Sequence, residues 1–206
     1  MDPSLKTLAR FLPIPGRFVG HTAEYSVGET SASVCWLPDS TIRTPGKTTI
    51  FNTIWLNERV KEDLPTELVD YLFLHEHGHA RRSRLGRLKF LLLALGFALA
   101  FAVMFCLTVA FGVEAVSNPV YPLETVGIVV MISLGITVLA GEGHRRVLWN
   151  EELRAELNVV RVLGSDEYRR RYDQFEARRD RGVVGRLRRR LFYPSADEVV
   201  AAASDR

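Results

Sequence analysis

Phe90 to Val113 is a run of 24 residues without a charged side chain. As a helix rising about 1.5 Å per residue it is longer than the roughly 30 Å hydrocarbon core of a bilayer, so it can span with some tilt. It has no polar face to turn to water, which argues against the core helix of a soluble protein. A second apolar run, Thr125 to Gly141, is at the short end of the spanning range. Glu114 and Glu124 bracket the connection, which contains Asn118, Pro119 and Pro122. The pair predicts a two-helix transmembrane hairpin. Two crossings return the chain to the side it left, so the segments before and after the hairpin face one compartment.

The flanking charges say which compartment. Arg81, Arg82, Arg84, Arg87 and Lys89 precede the first run and Arg145 and Arg146 follow the second, whereas the connection has no basic residue. The positive-inside rule then places both termini in the cytoplasm, in a cell inner or plasma membrane. The net charge of +3 comes largely from arginines near apolar segments, which suits a membrane surface better than nucleic acid. No nucleic-acid-binding motif is recognisable, and no such partner is expected. Two cysteines, Cys35 and Cys106, are too few for a disulfide framework. Met1 to Pro15 has a short amphipathic pattern broken by prolines, without the continuous apolar core of a signal peptide.

Before the hairpin stands Leu74-His75-Glu76-His77-Gly78-His79, an HExxH pattern. Residues four apart stack on one helix face, so His75 and His79 can aim imidazole nitrogens at one metal ion. Glu76, one position round, is placed to take a proton from an activated water, the general-base role. Pro65-Thr66-Glu67 makes a good helix start, and Leu68, Tyr71, Leu72 and His75 recur at helical spacing, so the motif falls on a helix. His77 points elsewhere and reads as a non-ligand.

Upstream, Thr22 to Val27, Ser31 to Leu37 and Thr48 to Leu56 read as three short strands, with a hairpin turn at Gly28-Glu29. Thr48 to Leu56 is the candidate strand for receiving an extended peptide by edge pairing. Downstream, Trp149 to Glu156 supplies Glu151, Glu152 and Glu156 as candidates for a third ligand, and spacing does not separate them. Glu152 and Glu156 share a helix face, so one can bind metal while the other orients a histidine. Arg169 to Arg190 is a charge-dense helical stretch broken by Gly182 and Gly185. Its Arg186, Arg188, Arg189 and Arg190 are candidates for anionic lipid headgroups.

The run from Ile54-Trp55-Leu56-Asn57 through Pro65-Thr66-Glu67-Leu68 and the HExxH segment, then two apolar spans and Glu152-Leu153-Arg154-Ala155-Glu156, resembles the HtpX-like and CAAX-prenyl-protease family of integral-membrane zinc metallopeptidases. In that family the third ligand opens a Glu-x-x-Ala-Asp pattern, which implies Glu152 here, with Glu156 in place of the closing Asp. Trp149 stands where the family often has arginine, and Tyr193 where a His precedes a closing Pro. The resemblance implies one zinc ion per chain on His75, His79 and Glu152, with Glu76 as the catalytic base.

The expected fold is α+β, with a short N-terminal β-sheet, zincin-type active-site helices and the transmembrane hairpin. Its parts are residues 1–89, carrying the strands and the HExxH helix, 90–141, the hairpin, and 142–206, the helical part with the third ligand. Together they are expected to make one composite catalytic domain. The expected function is zinc-dependent endopeptidase activity on protein or peptide substrates at the cytoplasmic face of the bilayer. A zinc-binding membrane sensor or adaptor without turnover is the alternative.

Overall fold

The computed structural model describes residues 20–117, 123–178 and 182–205. The amphipathic segment expected over Met1 to Pro15, the connection over 118–122 and Asp180 lie outside them. The architecture is mixed α+β, with a small four-stranded sheet followed mostly by helices, two of them long and apolar.

Strands β1 (His21–Val27) and β2 (Thr30–Leu37) form an antiparallel hairpin with Val27 opposite Thr30. Gly28 sits in the two-residue turn at φ +57°, a conformation glycine adopts without steric cost. The third expected strand is two strands. β3 (Gly46–Thr48) and β4 (Ile54–Asn57) pair antiparallel about a turn. Asn52 takes φ +61° there, and the Thr49 hydroxyl accepts from the amides of Phe51 and Thr53, each at 3.2 Å. The sheet order is β1-β2-β4-β3, with β4 parallel to β2. β4 is therefore interior and cannot accept a further strand, and of the expected segment only β3 lies at an edge.

A short helix α1 (Val60–Asp63) leads into α2 (Thr66–Ala80), which begins after Pro65 and carries the HExxH residues. Leu68, Val69, Tyr71, Leu72, Phe73 and Leu74 are all buried, so α2 is apolar nearly all round. On one side Phe73 meets Tyr25 of β1, ring centroids 5.0 Å apart, and the Tyr25 hydroxyl donates to Asp70 at 2.8 Å. On another Tyr71 packs against Phe175 and Tyr168 of α5 (Ser165–Ala177). Burying each such side chain contributes about 1.5–3 kcal/mol.

Helices α3 (Arg84–Ser117) and α4 (Leu123–Leu163) are both long and apolar enough to cross a membrane. Leu95, Leu99, Met131 and Leu139 are between 66 % and 71 % exposed, so these helices turn apolar side chains outward. The chain divides into two compact units, Arg84–Asn150 and the segments on either side of it. The latter unit holds the sheet, α1, α2, the end of α4 from Glu151, α5, α6 (Val183–Phe192) and α7 (Ala196–Ser204). Ser195 starts α7 with a capping box: its hydroxyl accepts from the Glu198 amide, and Glu198 accepts from the Ser195 amide. Gly185, expected to break the charged stretch, lies inside α6.

The seam between α2 and α4 is closed by Gly78. A Cβ there would lie 2.7 Å from Ala155 Cα and 2.8 Å from Ala155 O, both backbone atoms that cannot swing aside. Gly78→Ala is therefore expected to cost about 1–3 kcal/mol through overpacking. A lower urea midpoint with an unchanged slope in equilibrium unfolding checks this.

Candidate metal centre

His75 and His79 sit one turn apart on α2, with ring centroids 4.9 Å apart and planes at 85°. The Gly78–Ala155 approach brings α4 alongside, and Glu152 faces both rings. Its Oε2 is 3.5 Å from His75 Nε2 and 3.7 Å from His79 Nε2. Among the described residues this trio is the set whose ligand atoms all fall within 4.8 Å of one another. Tetrahedral zinc with bonds of about 2.0–2.2 Å requires ligand atoms about 3.3–3.6 Å apart, close to these distances. Glu152 Oε2 is buried and has no hydrogen-bond partner, as expected of an oxygen whose partner is a cation. The residues present fit zinc.

Each histidine has its own second carboxylate. Glu151 Oε1 is 3.1 Å from His79 Nδ1 and is also held by Arg82 and, at 2.5 Å, by Arg154. Glu156, only 2 % exposed, places Oε1 3.4 Å from His75 Nδ1 without hydrogen-bond geometry, while both its oxygens lie 3.0 Å from the Tyr71 hydroxyl. With Nδ1 facing an acid, each ring turns Nε2 towards Glu152. The three glutamates that spacing left unresolved thus take three positions: Glu152 between the rings, Glu151 behind His79 and Glu156 behind His75.

Glu76 is buried and lies against the sheet. The Thr48 hydroxyl is 2.8 Å from both Glu76 Oε2 and the Glu76 carbonyl, and can donate to one at a time. Gly46 makes room for it: a Cβ there would stand 3.0 Å from Glu76 Cγ and 3.1 Å from Oε1. Edge strand β3 thus fixes the Glu76 carboxylate. Neither Thr48 nor Gly46 carried a signal in the sequence, because their role depends on where β3 packs.

His77 is stacked on Phe73, and burial and then the charges of Arg81 and Arg161 lower its pKa, so it stands apart from the trio. Tyr193 lies within electrostatic reach of Glu152 and His75. Burial and then the Glu152 carboxylate raise its pKa.

Burial acts to lower the pKa of His75, but Glu156 and Glu152 outweigh it and hold the imidazole well above its ordinary 6.5. His79 is raised likewise by Glu151 and Glu152 against its burial. Burial acts to raise Glu151, yet His79, Arg154 and Arg82 bring it down to about 2. Glu152 is held well below the carboxylate range by the two histidines despite burial.

No protein-family model, curated protein or solved structure matches the chain.

A cation entering the trio competes with protons for both imidazoles, so zinc affinity is expected to rise with pH and fall on acidification. Calorimetric titration in buffers of different ionisation enthalpy counts the protons released. The metal-free fold has the opposite dependence at its histidines. Their stabilisation is fully present below pH 6.5 and lost as pH rises through the raised values, whereas that of Glu151 is present above 4.5 and lost as pH falls towards about 2. Glu151→Gln is expected to weaken zinc binding about 10–100-fold. Competition with a chromophoric chelator measures it.

Proposed function

We propose that the chain is a membrane-bound zinc metalloendopeptidase of the HExxH type, resembling the HtpX-like and CAAX-prenyl-protease family. It would hydrolyse peptide bonds of membrane or membrane-proximal proteins at the cytoplasmic face. In this reading α2 and the Glu151–Leu163 part of α4 are zincin-type active-site helices, while α3 and the apolar part of α4 form the membrane hairpin. The observation that carries it is a set of three ligand atoms spaced for one cation, with Glu76, a buried acid of the same motif, left outside the set.

His75, His79 and Glu152 would hold the zinc ion, which would supply Lewis acidity towards water and a carbonyl. Glu76 takes the proton as water attacks the peptide carbonyl and returns it to the leaving amine. The Thr48 hydroxyl can hold Oε2 of that carboxylate and so orient the base. Glu151 and Glu156 keep both imidazoles oriented. The outer edge of β3 has main-chain groups to offer an extended peptide, and Thr48 ties that edge to the general base, so a segment paired there runs beside the acid that acts on it.

Glu76→Gln preserves shape and removes the base. Detergent-purified full chain is expected to bind zinc equally with either residue and to lose about 10²–10⁴-fold in cleavage of an unfolded membrane-protein substrate with the variant. Equal zinc content with no cleavage by either protein would favour the sensor or adaptor, and equal cleavage would exclude Glu76 as the base. Gly46→Ala, which crowds Glu76 while leaving the ligands in place, is expected to lower kcat with zinc content unchanged, as metal analysis and steady-state kinetics would show.

A further inference from the structure

Helix α6 is amphipathic in the opposite sense to a packed helix of a globular unit. Val183, Val184, Leu187 and Leu191 fall within an arc of about 100° on the helical wheel, the width of a core-facing stripe. Yet all four are exposed, Val184 by 80 % and Leu187 by 57 %, and the helix buries no residue. Arg188 and Arg190 border the stripe on its two sides, Arg186 lies beyond Arg190, and all three are exposed.

The opposite face is turned inward through a cation. Arg189 donates to the Tyr172 hydroxyl at 2.7 Å and stands 3.6 Å from Glu176. Its guanidinium lies over the rings of Tyr172 and Tyr193, at 5.2 and 4.5 Å. The Tyr193 amide closes the helix on the Arg189 carbonyl at 3.0 Å. Arg189, expected among the headgroup-binding arginines, is therefore an internal anchor that holds the apolar stripe outward.

We infer that α6 is an interfacial docking helix that lays its Val183–Val184–Leu187–Leu191 stripe into an anionic bilayer surface, with Arg186, Arg188 and Arg190 at headgroup level. An apolar stripe rimmed by arginines complements the acyl boundary below and the phosphates above. Two helices of the same chain are long and apolar enough to cross a membrane, so on the proposed reading the chain that carries α6 is tethered to a bilayer. The inference rests on the membrane-spanning part of the proposed function and is independent of the metal chemistry.

The test is amide exchange of full chain reconstituted at one copy per nanodisc, in phosphatidylcholine alone and with about 30 % phosphatidylglycerol. Residues 183–192 are expected to exchange about tenfold more slowly in the anionic discs. Each of Arg188→Gln and Arg190→Gln is expected to lower that protection about fivefold, and Leu187→Ser should lower it in both lipids. Equal exchange in the two lipids would overturn the inference. So would protection that appears only in discs holding two copies, which would assign the stripe to a second chain. The substitutions fall on exposed side chains of a helix anchored by Arg189, so loss of protection confined to 183–192, with α2 unchanged, separates lost docking from lost folding.

Discussion

The absence of a side chain at Gly78 is the condition on which the cluster of His75, His79 and Glu152 depends. Residue 78 lies between the two histidines on α2, and the residue it meets, Ala155, lies one turn after Glu152 on α4. Backbone-to-backbone contact there sets the helix separation at the depth of the imidazoles. One turn further, Asn158 donates to the Leu74 carbonyl at 2.7 Å, so the same face of α4 also fixes the register along the seam. Glu152, Ala155 and Asn158 recur every third residue and do three jobs: the carboxylate facing both rings, the spacer and the latch. The Glu-x-x-Ala spacing thus has a packing cause, because a larger residue at 155 would push the carboxylate away from both rings.

Placing several carboxylates around two imidazoles costs desolvation, and the arrangement offsets it by giving nearly every buried oxygen a partner. Glu151 is met by two arginines and a histidine, and Glu156 by Tyr71 and His75. Glu76 is met by Thr48. Glu152 Oε2, which makes no hydrogen bond, faces both imidazoles.

Much of this was legible from local pattern. Pro65-Thr66-Glu67 marked the start of α2, Gly28-Glu29 the first hairpin, and four-residue spacing put His75 and His79 on one face. The roles of Glu151, Glu152 and Glu156 were not separable by periodicity, since residues so close in sequence all project from neighbouring faces of one helix. Which one meets the rings is decided by where α4 touches α2, a tertiary fact. The β3–β4 turn was missed because Thr48 to Leu56 has strand-forming composition throughout, and the interruption rests on a left-handed Asn52 and the Thr49 hydroxyl. Arg189 illustrates a third limit. Its charge is the same as that of its neighbours, and only packing against Tyr172 and Tyr193 turns it inward.

The donor atoms at the centre are two imidazole nitrogens and one carboxylate oxygen, and sulfur is not among them. Both cysteines lie elsewhere, Cys35 buried with Leu37, Ile42 and Trp55 and Cys106 on the apolar helix α3. Oxidants and thiol-modifying electrophiles, which empty thiolate sites by consuming the ligand, would therefore find no ligand to attack in the proposed site. Its occupancy would follow free metal and proton activity and be decoupled from the thiol–disulfide poise of the cell.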